Sequence, residues 1–279
     1  MKRVFPILLL LVVLFAGCHA KTRKTDSMQM VFFDVGQGDS TLFRTEAGDV
    51  LLDAGAESAQ EALCRKLRDC GVKKLALLIL SHPDEDHIGG ADAVLESFPT
   101  DLVLTNGSMP GDESDNRLWK TADRLGVPVQ TAKTGDVFRF GNTVFSVLYP
   151  DEETERTAGN RAGLVVRVQY GEFSVLMMGD AERETEQKLL DLGAAHLQAN
   201  ILHVGHHGSQ TSSGEDFLSA VHPDYAVISC GVGNSYGHPD GRTIARLSEV
   251  GAVILRTDLS GDISIRTNGK EIFEDSGKH

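Results

Sequence analysis

The sequence predicts an α+β domain built as a four-layer α/β/β/α sandwich. Two groups of strand-like segments are each followed by helices with one apolar face. Two mostly antiparallel sheets, packed together and covered by helices on their outer faces, would bury all of these apolar faces. Periodicity alone indicates only a mixed class, so the layering is inferred from the need to cover those faces.

The first group of strands lies before residue 81. Gly48, between two strand-like segments, is typical of a hairpin turn. A helix is predicted over 58–69, because its apolar residues have helical spacing and Gly71 follows its end. The continuous apolar run at 75–80 is typical of a strand buried on both faces. The strands predicted in this half are 28–34, 40–46, 50–53 and 75–80.

The second group follows the same logic without repeating the sequence. Short strand-like segments are joined by tight glycine-containing turns, and the helix predicted over 181–192 begins with acidic residues. Strands and helices alternate after it. The predicted strands are 137–140, 143–148, 164–170, 173–178, 201–204, 225–229 and 253–256, and the later helices are 215–221 and 243–250.

Composition and charge limit the possible functions. The chain has 279 residues, 41% of them hydrophobic, which suits one globular domain or at most two small ones. Its formal net charge of -13 should repel nucleic acid and anionic membranes, and it argues against a tight, sequence-independent grip on long DNA. A polyanionic substrate would therefore need local positive charge, such as a bound metal ion supplies.

The N-terminal segment has the pattern of a signal peptide. Lys2 and Arg3 precede an apolar run at 4–16 that is too short to span a bilayer. The run leads to Cys18 through small residues and resembles the lipobox of bacterial lipoproteins, whose Cys carries a diacylglycerol. These features predict a signal peptide at 1–17, lipidation of Cys18 and a tether at 18–27. The chain would be extracytoplasmic and lipid-anchored to the bacterial cell membrane, or secreted if this is an ordinary secretory signal.

The most informative segment follows the apolar run at 75–80. The sequence His82-Pro83-Asp84-Glu85-Asp86-His87 places two imidazoles and three carboxylates within six residues. Carboxylates at this density repel one another unless a cation is present. Neutral imidazole and carboxylate together suit Zn²⁺, Mn²⁺ or Fe. The alternative is a solvated acidic turn, which would not need both histidines.

The positions His82, Asp84, Asp86 and His87 resemble the His-x-His-x-Asp-His signature of the metallo-β-lactamase superfamily. The closer resemblance is to the hydrolase domain of the competence protein ComEC, which also has Asp at the second position. It implies a hydrolase domain at 28–279 with two divalent metal ions, one held by His82 and Asp84 and the other by Asp86 and His87. A carboxylate at Asp84 hardens the site and favours Mn²⁺ over Zn²⁺.

The resemblance extends along most of the chain and implies roles for further residues. It makes Asp180 a metal-bridging carboxylate, although a helix cap would look the same in sequence. His206 is the predicted ligand of the His-His-Gly segment. Side chains predicted to support the ligands without touching the metals are Asp34, Asp39 and Asp53. Those predicted to take part in catalysis are Asp86, His207 and His238, with His207 supporting a ligand or contacting substrate.

One element of the family pattern is altered. Many members have another His ligand before the bridging Asp, but the chain has no His between His87 and His196. ComEC-like proteins have an Asn-containing stretch ending in Ser there, whereas this chain has Asn160 and, at the Ser position, Gly163. The first metal site is therefore predicted to be poor in ligands.

These features together predict a metal-dependent phosphodiesterase or nuclease, linked to DNA uptake or to extracellular DNA processing. Its partners would be a phosphoester substrate or DNA, with membrane contact only through the lipid anchor, and the sequence indicates no obligate protein partner. Two alternatives remain open. One is a β-lactam or other amide or ester hydrolase on the same fold, and the other is a non-catalytic surface lipoprotein that binds a ligand through a decayed site.

Overall fold

The fold is known from a computed structural model, which describes residues 27–107, 113–150 and 163–274. The predicted signal peptide, Cys18 and nearly all of the tether lie outside the described residues, as does Asn160. Within the described ranges, no helix has both the length and the apolar character needed to cross a bilayer.

The strands and helices are numbered separately along the chain. The strands are β1 (Met28–Phe32), β2 (Thr41–Thr45), β3 (Gly48–Leu52), β4 (Leu75–Leu80), β5 (Val103–Thr105), β6 (Val129–Thr131), β7 (Val137–Phe140), β8 (Thr143–Tyr149), β9 (Val165–Tyr170), β10 (Phe173–Met177), β11 (Ile201–His203), β12 (Tyr225–Ile228), β13 (Val253–Arg256), β14 (Ile263–Thr267) and β15 (Ile272–Glu274). The α-helices are α1 (Gln60–Asp69), α2 (Glu85–Ile88), α3 (Ala91–Ser97), α4 (Glu113–Leu125), α5 (Arg183–Asp191), α6 (Glu215–Val221), α7 (Gly241–Glu249) and α8 (Thr257–Ser260).

The described strands form two sheets. The first has the order β15-β14-β1-β2-β3-β4-β5-β6, and the second has the order β13-β12-β11-β10-β9-β8-β7. Both sheets are mixed, which corrects the prediction that they are mostly antiparallel: β3 to β6 run parallel, as do β10 to β13. The reason is that helices connect these strands, and a helical crossover returns the chain to the same end of the sheet.

Three apolar layers hold the sandwich together. The central layer lies between the sheets and includes Phe43 and Phe145, whose rings meet edge to face at 5.4 Å. A second layer packs the first sheet against α1, α3 and α4, and a third packs the other sheet against α5, α6 and α7. Burial of each large apolar side chain contributes about 1.5–3 kcal/mol. This arrangement confirms the predicted four-layer α/β/β/α fold.

Helix α1 illustrates how the local sequence sets these elements. Its buried residues Leu63, Cys64 and Leu67 lie on one face at helical spacing. The helix ends before Gly71, which has the left-handed φ of +78° that favours glycine. The helix faces the first sheet, so that the exposed residues between the buried ones remain in solvent.

Candidate metal centre

Loops at the carboxyl ends of parallel strands carry the candidate site. The metal loop, defined as residues 81–90, follows β4, and Asp53 follows β3. In the other sheet Asp180 follows β10, and the pair His206 and His207 follows β11. Because the carboxyl ends of parallel strands meet at one edge of a sheet, residues distant in sequence converge on one place.

Asp180 lies at the centre of four imidazoles. Its Oδ1 is 3.1 Å from Nε2 of His87 and 3.5 Å from Nε2 of His207. Its Oδ2 is 3.7 Å from Nε2 of His82 and 3.6 Å from Nε2 of His206. The carboxylate is buried, with 3% of the residue exposed. Each of its two oxygens thus faces a different pair of ring nitrogens.

The alternative role of Asp180 as a helix cap does not fit this geometry. Helix α5 begins at Arg183, and the N-cap position is Glu182, whose side chain makes no capping hydrogen bond. The Asp180 carboxylate faces the histidine cluster.

Combinations of these groups have the spacing of a metal site. In each combination the potential ligand atoms lie within 4.8 Å of one another. Nε2 of His82 is buried and has no hydrogen-bond partner among the described residues. A buried nitrogen directed at carboxylate oxygens beyond hydrogen-bond distance suits a bound cation. The combinations are His82, His87 and Asp180; Asp86, His87 and His207; Asp39, Asp53 and His87; and Asp39, Asp180 and His207.

Asp53 holds His87 from behind. Its Oδ2 lies 2.9 Å from Nδ1 of His87 and also accepts a hydrogen bond from the Ser81 hydroxyl at 2.7 Å. Its Oδ1 accepts the Ser81 backbone amide at 2.7 Å. The carboxylate therefore fixes the ring so that Nε2 faces Asp180, as carboxylates do behind metal-binding histidines.

Asp39 approaches the cluster from the loop between β1 and β2. Its Oδ1 lies 3.5 Å from Nδ1 of His207 and 3.6 Å from Nε2 of His203. Its amide donates to the carbonyl of Asp86 at 3.1 Å. The neighbouring Gly38 lies so close that a Cβ there would be 2.3 Å from the Asp86 oxygen. This loop supports the metal loop by direct backbone contact, which requires glycine.

The structure places Asp34 in a local turn, unlike Asp39 and Asp53. Its carboxylate accepts the amide of Gly36 at 3.1 Å, and its backbone carbonyl accepts a hydrogen bond from Lys66. The Lys66 amine also pairs with Asp262. Asp34 thus contributes to the connection between β1 and the loop before β14, and it does not join the supporting carboxylates.

The sequence predicts His206 as the ligand of this pair, and the structure brings His207 as well to the ligand cluster. His207 is 2% exposed, and its Nε2 lies 3.1 Å from Oδ2 of Asp86. Its Nδ1 donates to the carbonyl of Ser229 at 3.0 Å, which leaves the lone pair of Nε2 for a cation. His207 therefore lies beside His87 with an Nε2 that could bind a cation. His206 stays near Asp180 but lies on the other side of its carboxylate.

The remaining motif residues lie at the mouth of the site. Asp84 has a side chain that is 46% exposed, and its Oδ2 lies 3.6 Å from Nε2 of His82. The ring of His238 lies 5.5 Å from that of His206. The side chain of Asn234 holds the backbone of His238, accepting its amide at 3.0 Å and donating to its carbonyl at 2.6 Å.

The carboxylates of the cluster require positive charge. Burial alone would raise the pKa of Asp180, but His87 and His207 hold it well below its usual range. Burial opposes protonation of both rings, yet the carboxylates beside them raise the pKa of His87 and of His207 well above the usual value.

Burial and the rings of His206 and His207 lower the pKa of His238, so its imidazole is neutral near pH 7.

Three supporting residues were not predicted from the sequence. The Glu182 carboxylate accepts a hydrogen bond from Nδ1 of His206 at 3.0 Å. The backbone carbonyl of Ser229 accepts one from Nδ1 of His207, and the hydroxyl of Ser81 donates one to Asp53. Ser81 adjoins the metal loop histidine and Glu182 follows Asp180 by two positions, so their nearness in sequence was a usable signal. The carbonyl of Ser229 gives no sequence signal, because every residue has one.

A family model described as the Metallo-beta-lactamase superfamily matches residues 33–232. The chain belongs to the metallo-beta-lactamase superfamily. The predicted resemblance to this family is thereby confirmed.

Competence proteins are among the superfamily relatives of the chain. It is 32% identical over 251 residues to ComE operon protein 3 of Bacillus subtilis, covering 84% of this chain and 32% of that protein. It is also 32% identical over 257 residues to competence protein ComA of Neisseria gonorrhoeae, covering 92% of this chain and 35% of that protein. The chain thus spans about a third of the length of these curated relatives.

A solved structure has the same superfamily fold. The metallo-beta-lactamase fold protein YhfI from Bacillus subtilis aligns with a TM-score of 0.55 and 14% identity, covering 87% of this chain and all of that one. Superfamily membership and the histidine and aspartate cluster make the chain a metal-dependent hydrolase related to competence proteins. Metallo-beta-lactamase sites typically hold two divalent metal ions, and the cluster around Asp180 has the ligand types for them.

Proposed function

We propose that the chain is a phosphodiesterase or nuclease that uses two divalent metal ions. The observation that carries this proposal is the position of Asp180, whose two oxygens each face a different pair of imidazoles. A shared carboxylate between two sets of ligands is suited to a pair of cations. Bound side by side, such ions activate water at neutral pH and neutralise charge on a phosphoryl group.

The protein itself would orient the reacting groups. Asp53 and the carbonyl of Ser229 fix His87 and His207 through their Nδ1 atoms, so the rings need not reorganise during the reaction. His238 stands at the mouth as a neutral imidazole with a backbone held by Asn234. It would donate a hydrogen bond to a phosphoryl oxygen.

Two features support a phosphoester over a β-lactam. Asp84 adds a hard oxygen at the mouth, which favours Mn²⁺, a common ion in phosphoester hydrolysis. One relative is named competence protein ComA and another, from Haemophilus influenzae, is named recombination protein 2, which favours DNA as the substrate. The net charge of -13 favours brief contact with DNA over a tight grip.

The same proposal includes the location of the enzyme. Lipidation of Cys18 would anchor it outside the cytoplasmic membrane, where incoming or extracellular DNA is accessible. Metabolic labelling with a fatty-acid analogue, compared between the natural chain and Cys18→Ser, tests this. Equal labelling of both would contradict the anchor, and the hydrolase would then act as a secreted or otherwise attached protein.

The catalytic proposal is tested with two chromogenic substrates. The protein, loaded with Mn²⁺ or Zn²⁺, is incubated with a phosphodiester and with a cephalosporin, and Asp86→Asn serves as the matched inactive control. We expect the natural chain to cleave the phosphodiester and not the cephalosporin, and we expect Asp86→Asn to cleave neither. Cleavage of only the cephalosporin would establish the β-lactam alternative. Metal binding without cleavage of either substrate or of single-stranded DNA would favour the non-catalytic binding alternative.

A further inference from the structure

The four imidazoles around Asp180 share one arrangement. Each ring has its Nδ1 bonded outward to an oxygen and its Nε2 directed at the Asp180 carboxylate. The outward partners are the hydroxyl of Ser81 for His82, Asp53 for His87, Glu182 for His206 and the carbonyl of Ser229 for His207. The Nε2 distances to Asp180 run from 3.1 to 3.7 Å. His206 therefore shares these two contacts with its three neighbours, although among the described residues it belongs to none of the combinations whose ligand atoms lie within 4.8 Å of one another.

The Asp180 oxygens sort the rings into two pairs. His87 and His207 face Oδ1, together with Asp86, whose Oδ2 lies 3.1 Å from Nε2 of His207. His82 and His206 face Oδ2. The second pair contains only one ring from the metal loop, and the sequence has no His between His87 and His196 that could add another. His206 is the imidazole that the structure brings to this side.

We propose that the consecutive histidines divide between the two metal ions. His207 joins Asp86 and His87 at one ion, and His206 joins His82 and Asp84 at the other, with Asp180 shared. His206 then supplies the ligand that the altered segment before Asp180 does not. The inference rests on the metal-binding part of the proposed function and is independent of the substrate.

The backbone of the two histidines supports this division. His206 has φ +50° and His207 has φ +53°, in the left-handed region that non-glycine residues rarely adopt. Such a conformation costs about 1–3 kcal/mol per residue and persists where surrounding contacts compensate for it. Here it directs two adjacent side chains to opposite oxygens of the same carboxylate.

Glu182 acts on His206 as a positioning residue. Its Oε1 accepts Nδ1 of His206 at 3.0 Å, and the same oxygen accepts the hydroxyl of Thr211 at 2.7 Å. With Nδ1 donating its hydrogen to a carboxylate, Nε2 keeps its lone pair and becomes more basic. Asp53 makes the equivalent bond to His87, so each side of Asp180 has one imidazole backed by a carboxylate.

The variant His206→Asn tests the division with Mn²⁺ alone as the probe. Asn tolerates a positive φ and its amide can replace Nδ1 in the bond to Glu182, but it has no atom at the position of Nε2. The full chain is dialysed against Mn²⁺, and the bound ion is counted and observed by electron paramagnetic resonance. Two coupled ions are expected in the natural chain, and one isolated ion in His206→Asn. His222→Asn is the matched control, because His222 is exposed and has φ +48°.

A second variant keeps the inference falsifiable if His206→Asn fails to fold. Glu182→Gln changes a side chain that is 43% exposed, and it should weaken the binding of one Mn²⁺ by about 10–100-fold and leave the other unchanged. Two coupled ions in His206→Asn, or unchanged affinities in Glu182→Gln, would overturn the division. Two ions in a natural chain that cleaves no phosphodiester would refute the proposed function and leave the division intact.

Discussion

Nε2 of His207 lies 3.1 Å from Oδ2 of Asp86, although the two residues are 121 positions apart. Asp86 belongs to the loop after a strand of the first sheet, and His207 follows a strand of the second. Their contact joins the two halves of the sandwich at the candidate metal centre. A change at either residue should therefore affect ion binding more than the apolar core.

Asp86→Asn should remove about one equivalent of bound metal and lower phosphodiester hydrolysis by more than about 100-fold, because a neutral amide is a weaker ligand than a carboxylate. Metal content after dialysis and initial rates measure the two effects. Asp101→Asn is the control, since Asp101 forms an exposed ion pair with Lys74. Full metal content in Asp86→Asn would exclude this carboxylate from the ligands.

Asp53→Asn should weaken metal binding by about 10–100-fold, because the ring of His87 would lose its carboxylate partner. Asn fits the positive φ of Asp53, +60°, so the backbone need not change. Titration with Mn²⁺ gives the affinity. Asp34→Asn is the matched control, because that carboxylate accepts only a turn amide in the contacts described. Equal affinities in the two variants would contradict the supporting role of Asp53.

His238→Ala should lower kcat by about 100-fold and leave the metal content unchanged. The ring lies at the mouth, 5.5 Å from that of His206, and its neutral form can donate a hydrogen bond to substrate. Steady-state kinetics and metal analysis on the same sample separate the two properties. Loss of metal in this variant would instead make His238 a ligand.

Gly38→Ala should disrupt the site, whereas Gly36→Ala should only strain the backbone. Both glycines have positive φ, but a Cβ at residue 38 would lie 2.3 Å from the carbonyl of Asp86, and one at residue 36 meets nothing within 4 Å. Gly36→Ala should cost about 1–2 kcal/mol of stability with metal affinity retained. Gly38→Ala should also reduce metal affinity. Thermal unfolding and Mn²⁺ titration check the pair, and equal behaviour would show that the close approach is unimportant.

Glu186→Gln should become more stable relative to the natural chain as pH rises. Burial raises the pKa of Glu186, and the hydrogen bonds it accepts from the amides of Ser213 and Gly214 only partly offset this. A group whose folded pKa is raised stabilises the fold below its unfolded pKa, and this contribution is lost as pH rises through the folded pKa. Gln does not ionise and escapes that loss. Urea unfolding at several pH values measures the difference in free energy of unfolding between the variant and the natural chain. Glu184→Gln is the control, because Glu184 is exposed. A difference that does not change with pH would contradict the prediction.

Part of the fold could be predicted from the sequence, because long apolar segments show their period. The helix predicted over 215–221 coincides with α6, and the one over 58–69 starts two residues before α1, where a 3₁₀ turn intervenes. Strands β5 and β6, of three residues each, were not predicted. Helix α4 and the strands β14 and β15 were missed as well.

Some of the site residues could likewise be predicted from the sequence, and others could not. The metal loop and Asp180 could be proposed because each has a dense or distinctive sequence pattern at the end of an apolar strand. The sequence could not show which way His206 and His207 point. They are adjacent residues of the same type, and their directions depend on a left-handed backbone turn that only the structure reveals. Asp34 was grouped with Asp39 because both lie in the segment that resembles the ComEC-like opening, but its carboxylate accepts the amide of Gly36 in its own loop.

The loops around Asp180 come from both sheets, so neither half of the sandwich contains a complete set of ligands. A fragment ending in the segment between α4 and β7 would lack Asp180 and both consecutive histidines, and a fragment starting there would lack the metal loop, so neither would hold a complete set of ligands. Activity lost on such truncation would therefore say nothing about which half performs the reaction, because the reactive unit exists only where the two halves face each other.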